Sequence, residues 1–277
     1  MNRHADRLPV IGPGASDSAG LDADRTETES PAGPDSARFA AMIERSSLGT
    51  PAAHALRARA DAETAKAIAG QPAARQRESL TETSLASTWH EQLAHWLTDA
   101  VEAGVVAPNA MVLATADAEG MPSSRTVLCK GLDERGVVFF TSYSSSKSHD
   151  LMSTRFASVT FPWWDLQRQV HISGTVEKVS AEETERYWNS RPRSSQLSSW
   201  ASPQSSVVAS HASLDYALAA IKRQFAEVDM IPVPPHWGGW RVRPDVVEFW
   251  QARHDRMHDR LRYVLVQGTW QVERLAP

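Results

Sequence analysis

Short apolar runs separated by turn residues dominate the middle of the chain. Two predicted turns, Ala118–Gly120 and Asp133–Gly136, separate the first three runs. The runs occupy about Ala110–Thr115, Ser124–Lys130, Val137–Ser142, Ala157–Phe161 and Arg168–Val179. Because five strands follow one another at short spacing with little helix between them, the pattern predicts an antiparallel barrel. A further β-rich segment, Val242–Trp250, lies near the end of the chain.

Helical segments flank this predicted sheet. Thr88 and Glu91 have the spacing of a capping box, and the apolar residues that follow share one helical face until Gly104. Further helices are predicted at Ser146–Thr154, Ala181–Ser190 and Leu214–Val228, whereas the polar run Arg191–Ser206 interrupts the regular pattern. The predicted fold class is therefore mainly β with flanking helices (α+β).

The first 86 residues differ in composition from the rest. Residues 1–36 are rich in Gly, Pro, Ser, Asp and Ala, so they bury too little apolar surface to offset ordering entropy and are predicted to be a disordered tail. Residues 37–86 are predicted to form a variable helical and linker extension, with helices at Ala37–Ser46 and Ala52–Ala69. Residues 87–277 are predicted to form the folded domain.

Composition excludes several classes of function. The net charge of −4 gives no case for nucleic acid, and no apolar run reaches the ~18 residues of a membrane span. A single cysteine, Cys129, fits a reducing cytoplasm. The motifs of serine hydrolases, P-loop enzymes, zinc proteases and zinc fingers are absent, so no metal site is predicted.

Three basic clusters suggest anion binding. They are the strand Arg125–Lys130, the segment Ser144–Lys147 before a predicted helix, and the group Tyr187, Arg191, Arg193 and Ser195. Arginine forks, hydroxyls and helix N-termini bind phosphate well. For each cluster the alternative is an ordinary solvated surface, because charged strand ends and N-caps are common.

The stretch Trp237–Tyr263 combines aromatic rings with Arg and His. It contains WGG at Trp237–Gly239, EFWQ at Glu248–Gln251 and RMHDR at Arg256–Arg260. On composition alone, a basic edge strand explains it equally well. However, these motifs, together with RPRSSQ and WASPQS at 191–206, resemble the pyridoxine (pyridoxamine) 5′-phosphate oxidase family, and the resemblance extends from about Asn109 to the end of the chain.

The resemblance implies an FMN-binding split β-barrel. It also implies oxidation of pyridoxamine or pyridoxine 5′-phosphate to pyridoxal 5′-phosphate, with O2 as acceptor and H2O2 as product. A homodimer is expected, with FMN at the two-fold interface and residues from both subunits around it. Many family members carry a basic residue where this chain has Ser146. Family members often have an Arg and a Tyr near the N-terminus that close over the substrate, and residues 37–86 of this chain show no matching pair.

The resemblance also assigns site residues. Those expected at FMN are Arg125, Thr126, Val127, Leu128, Cys129, Lys130, Phe140, Thr141, Lys147, Gln169, Gln204, Ser205, Trp250 and Arg260. Those expected at the substrate are Lys130, Tyr187, Arg191, Ser195, Arg256, Met257 and His258. Arg256 and His258 are expected to be catalytic, orienting the substrate and handling a proton at C4′, and to alternate with Arg260 on one face of a strand.

Two alternatives stay open at this point. One is a related flavin oxidase with another substrate, as in the phenazine pathway, although the retained RPRSSQ and RMHDR motifs argue against it. The other is a split-barrel protein that binds flavin or pyridoxal phosphate without turnover, because binding and catalysis use the same residues.

Overall fold

The computed structural model describes residues 79–253 and 256–277. The predicted tail at 1–36, the helices predicted before residue 70 and most of the predicted extension lie outside them. The helices are α1 Trp89–Glu102, α2 Ser146–Thr154, α3 Ala181–Asn189, α4 Arg193–Ala201 and α5 His211–Gln224, with a 3-10 turn at Trp164–Leu166. The strands are β1 Ala110–Ala116, β2 Pro122–Leu128, β3 Gly131–Asp133, β4 Gly136–Ser142, β5 Phe156–Trp163, β6 Arg168–Lys178, β7 Trp237–Gln251, β8 Asp259–Val266 and β9 Thr269–Arg274.

All the described strands belong to one antiparallel sheet, in the order β2-β1-β5-β6-β7-β4-β3. Strand β8 pairs with β7, and β9 pairs with β8. The sheet curls into a half-barrel with helices on its flanks, so the predicted fold class is confirmed. None of the helices described is both long and apolar enough to cross a membrane.

Strand β7 is the longest element of the sheet. Along one edge its first half pairs with β4, over 237–242, and its second half pairs with β8, over 246–251; β6 pairs with it along the other edge. A β-bulge at Asp245 shifts the register opposite Gly174. A Cβ at Gly174 would lie 2.0 Å from the backbone oxygen of Arg243, so only glycine fits at this bend.

Tryptophan and aliphatic side chains fill the core beneath the sheet. Helix α1 begins at the N-cap Thr88, whose side chain accepts the backbone N–H of Glu91, and it buries Trp89, Leu93 and Trp96. The ring of Trp96 meets the edge of Phe249 from β7 at a centroid distance of 5.2 Å. This packing fixes α1 across the far half of β7.

Several predicted boundaries need correction. The polar run 191–206 contains helix α4, whose N-cap is Pro192 and whose buried face is only Gln196 and Leu197, so its apolar stripe is too narrow to be recognised. Pro162 and Trp163, which follow the strand predicted at Ala157–Phe161, belong to β5. Leu80, predicted to lie in the extension, is 5% exposed and packs into the core.

Candidate active site

A cavity of about 630 Å³ opens between β2, β4, α2 and the α3–α4 pair. Most of the residues assigned to FMN or substrate from the sequence line it, although they come from five separate segments of the chain. They are Arg125, Thr126, Val127, Leu128, Lys130, Phe140, Thr141, Lys147, Tyr187, Arg191, Ser195 and Gln204. The fold therefore brings together the three basic clusters of the sequence.

One set of side chains in the cavity surrounds Lys147. Its ammonium donates to Thr141 Oγ1 at 3.3 Å, and that hydroxyl donates to the amide oxygen of Gln204 at 2.8 Å. The Arg125 guanidinium donates hydrogen bonds to Thr115 Oγ1 at 2.8 Å and to the carbonyl of Leu113 at 3.3 Å, both on β1. These contacts fix both cations against the cavity wall.

A second set surrounds Tyr187 and Arg191. The Tyr187 ring stacks on Phe140 at a centroid distance of 4.1 Å, and Phe140 stacks on Trp237 at 5.5 Å. The Arg191 guanidinium lies 4.6 Å from the centre of the Trp237 ring and donates to Ser199 Oγ at 2.9 Å. Because stacking leaves in-plane N–H groups free, this arginine can still bind an anion.

The charge in this cavity is unbalanced. Arg125, Lys130, Lys147 and Arg191 line it, and no carboxylate is among the described residues that do so. Burial lowers the pKa of Lys147, and the neighbouring charge of Arg125 lowers it further. Burial also lowers the pKa of Arg125 and of Arg191. Asp150, which is not part of the lining, lies 3.9 Å from the Arg125 guanidinium, whereas Lys147 has no carboxylate partner among the described residues. A cavity with this excess of desolvated cations favours an anionic ligand.

The other assigned residues lie at the far end of β7. Gln169 pairs with Trp250 across the β6–β7 ladder, and the ring centroids of Trp250 and His258 are 4.8 Å apart. Arg256 and Met257 belong to the same turn between β7 and β8. None of these five residues lines the cavity. Since β7 rises ~3.3 Å per residue, its two ends are about 45 Å apart along the strand path.

The expected alternation of Arg256, His258 and Arg260 on one strand face is wrong. Strand β8 begins only at Asp259, and Arg256 has a left-handed φ of 59° in the turn before it. Arg260 lies in the strand and forms a two-point ion pair with Glu248, at 2.7 and 3.1 Å. The turn therefore presents Arg256 and His258 independently of Arg260.

Two further residues assigned to FMN, in addition to Gln169, Trp250 and Arg260, lie outside the cavity lining. Cys129 is buried in the core, its thiol donates to the carbonyl of Gly131, and burial raises its pKa to about 11. Its backbone N–H and C=O are both bonded to Asn109, so no group of Cys129 is left to face a ligand. Ser205 follows Gln204 with a φ of 72° but is not part of the lining.

Two of the basic clusters contain structural members. The hydroxyl of Ser145 donates to the carbonyl of Ser142 at 2.7 Å, and in the segment Ser144–Lys147 only Lys147 lines the cavity. Arg193 donates to the carbonyls of Phe225 and Val228, so it ties α4 to the end of α5. Its role is therefore structural, which is neither the anion binding nor the solvated surface position that the sequence suggested.

The cavity also contains residues that the sequence did not single out. They are Ser142, Ser194, Ser198, Ser199, Ser202 and Trp237. Most of these serines lie on α4, so recognising that helix in the polar run would have indicated them. Trp237 was visible in the WGG motif, but its stacking partners were not.

Comparisons with known proteins agree with this geometry. Two family models match the chain: "Pyridoxamine 5'-phosphate oxidase" at residues 97–227 and "Pyridoxine 5'-phosphate oxidase C-terminal dimerisation region" at residues 237–277. A pyridoxine/pyridoxamine 5′-phosphate oxidase of Saccharopolyspora erythraea is 64% identical over 200 residues, which is 72% of this chain and 90% of that protein. The chain belongs to the pyridoxamine 5′-phosphate oxidase family.

Other relatives place the chain within that family. A protein of the same name from Mycobacterium sp. (strain JLS) is 53% identical over 70% of this chain and 90% of its own length. Among solved structures, PhzG from Burkholderia lata 383, in complex with tetrahydrophenazine-1-carboxylic acid, is 33% identical. It superposes with a TM-score of 0.68 over 72% of this chain and 98% of its own. The predicted family is thus confirmed.

The uncompensated charge of Lys147 leads to a first prediction. Lys147→Met should raise the free energy of unfolding of the cofactor-free protein by about 1 kcal/mol, because it removes a buried cation that has no carboxylate partner in the described chain. The same substitution should reduce the stabilisation that inorganic phosphate gives. Denaturant unfolding with and without phosphate measures both effects.

The pH dependence of this gain in stability follows from the direction in which folding shifts the pKa of Lys147. The pKa of Lys147 is lower in the folded state than in the unfolded state, so the free-energy cost of burying its charge is full below the folded-state pKa. This cost disappears as the pH rises towards the unfolded-state pKa. The gain from Lys147→Met should therefore shrink at high pH. Lys222→Met, at an exposed position on α5, is the matched control and should change neither quantity. If phosphate stabilises Lys147→Met as much as it stabilises the wild-type protein, Lys147 does not bind phosphate and its assignment is wrong.

Proposed function

We propose that this protein oxidises pyridoxamine or pyridoxine 5′-phosphate to pyridoxal 5′-phosphate, with FMN as cofactor and O2 as electron acceptor. The observation that carries the proposal is the cavity with two separate sets of phosphate-binding side chains, Arg125 with Lys147 and Tyr187 with Arg191. Two sets suit two ligands that each bear one phosphate. Relatives that carry this name, at 53% and 64% identity, support it.

The first set fits the FMN phosphate. Lys147 is 8% exposed and has no carboxylate partner within the described chain. The Arg125 guanidinium is held by Thr115, by the carbonyl of Leu113 and, at 3.9 Å, by the carboxylate of Asp150. A phosphate would compensate the charge of Lys147, which is the pairing that a buried cation requires, and would give Arg125 a closer anionic partner. When bound, FMN supplies the two-electron oxidation of the substrate at C4′.

The second set fits the phosphate of the substrate. Tyr187, Arg191 and Ser195 line one cavity, and the rings of Trp188 and Trp237 hold the arginine in place. Lys130 lines the same cavity after the end of β2, where it can contact either ligand. Fixing the phosphate at one end orients the C4′ carbon at the other.

We further propose that the active protein is a homodimer in which each site uses residues of both subunits. The turn with Arg256 and His258 lies about 45 Å along β7 from the cavity of its own subunit. The matching family model for residues 237–277 is described as a dimerisation region and covers β7, β8 and β9. A two-fold axis would bring the turn of one subunit to the cavity of the other.

The hydrogen bond of His258 defines what its ring offers. The backbone N–H of Arg253 donates to His258 Nδ1 at 3.1 Å. In the neutral ring this places the hydrogen on Nε2, so the side chain presents a donor. We therefore propose that His258 donates a hydrogen bond to the substrate, whereas the sequence suggested proton handling.

The proposed reaction is tested by anaerobic reduction. Purified protein reconstituted with FMN should be yellow and should lose its flavin absorption on addition of pyridoxamine 5′-phosphate without O2. Admission of O2 should restore the colour and yield H2O2. If the flavin binds but does not bleach, the protein either acts on another substrate or only binds its ligands, and the proposal fails.

The donor role of His258 is tested by two amide variants. His258→Gln places an N–H group near the position of Nε2, whereas His258→Asn places its amide near Nδ1. We expect His258→Gln to retain kcat/KM within roughly threefold and His258→Asn to lose about tenfold to a hundredfold, the worth of one hydrogen bond to a charged group. Equal losses in both variants would indicate a base instead of a donor.

A further inference from the structure

The carboxylate of Asp259 is the most buried acidic group in the part of the chain that the structure describes. The residue is 4% exposed, and no other described Asp or Glu is among the buried residues. It lies directly after His258, at the first position of β8. A buried carboxylate costs free energy unless it is fully paired, so the contacts of Asp259 show what it holds in place.

Three segments of the chain meet at this carboxylate. Oδ2 accepts the backbone N–H of Leu80 at 3.1 Å, and Oδ1 accepts from Arg274 of β9 at 3.1 Å. The Arg253 guanidinium reaches both oxygens at 3.4 and 3.5 Å. The same guanidinium also donates to Ser79 Oγ at 3.0 Å. Asp259 therefore links the residues before α1, the end of β7 and the last strand.

The turn between β7 and β8 depends on the same residues. Arg253 lies at its start, and its backbone N–H holds His258 Nδ1 at its end. Between them Arg256 has a left-handed φ of 59°, a conformation that a non-glycine residue keeps only when its surroundings enforce it. The charge of Asp259 fixes the side chain of Arg253, and the backbone of Arg253 fixes the ring of His258.

We infer that Asp259 is a positioning residue for the substrate-facing turn: through Arg253 it holds His258 and Arg256 in the geometry that the substrate meets. The inference rests on the proposed function, because it takes the turn as part of the active site. It differs from a purely structural ion pair in one respect. Loss of the carboxylate should impair the turn, whereas Arg125 and Lys147, which are held by residues of β1 and β4, should keep their contacts with the phosphate of FMN.

The test uses Asp259→Asn in the full-length holoenzyme. The amide keeps an oxygen for the N–H of Leu80 but loses the charge that holds Arg253. We expect kcat/KM for pyridoxamine 5′-phosphate to fall about tenfold to a hundredfold, with the Kd of FMN unchanged within about twofold. Hydrogen exchange followed by mass spectrometry should show faster exchange in peptides that cover 79–82 and 252–258, with unchanged exchange in β6.

Glu82→Gln is the matched control. Glu82 pairs with the other side of the same Arg274, at 2.9 and 3.1 Å, and does not contact the turn. This variant removes one charge from the same network, so it should leave kcat/KM and exchange at 252–258 unchanged. An equal loss in both variants would show that the network supports the fold in general, and would overturn the inference.

A second variant covers the case in which Asp259→Asn does not fold. Arg253→Met keeps the backbone N–H but breaks the contacts with Asp259 and Ser79, so it should show the same loss of kcat/KM and the same faster exchange at 252–258. Unchanged exchange there would overturn the inference. If the wild-type protein does not oxidise pyridoxamine 5′-phosphate, the proposed function fails, whereas the exchange data still decide whether Asp259 holds the turn.

Discussion

The antiparallel ladder of β7 is the constraint on which the rest of the structure depends. Its first residue, Trp237, stacks in the wall of the cavity, and its last residues lead to the turn that carries Arg256 and His258. Hydrogen bonds with β4, β6 and β8 run along most of its length, so the strand cannot fold back on itself. Residues that the family resemblance assigns to one site are therefore held at opposite ends of a rigid element.

Cationic side chains line the cavity, whereas most of the acidic side chains around it pair with other cations. The cavity collects four cationic side chains and no carboxylate among the described residues that line it, and Asp150 lies 3.9 Å from one of the four, Arg125. Asp133 and Glu183 pair with the buried Arg241, and Glu248 pairs with Arg260. Acidic groups thus stabilise the frame, whereas the cavity keeps its positive charge for ligands that carry phosphate.

Much of the fold and of the candidate site could be predicted from the sequence. The strands were visible as short apolar runs, and α2 was predicted at the bounds that the structure has. Helix α4 was missed because its serines give no apolar stripe, although they line the cavity. The predicted strand alternation also failed at Arg256, because this residue lies in a turn with a left-handed φ, and β8 begins only at Asp259. The burial of Cys129 was hidden as well, since its partner Asn109 lies twenty residues away.

The central claim is that one complete site needs two subunits, and hybrid dimers test it most directly. Arg191→Ala removes a cavity residue and Arg256→Ala removes a turn residue, so neither homodimer should contain an intact site. A hybrid dimer, isolated with two different affinity tags, should contain one intact site and recover about half of the wild-type kcat for pyridoxamine 5′-phosphate. Activity of the hybrid no higher than the mean of its two parent homodimers would contradict the account, because it would place the cavity and the turn of each site in the same subunit.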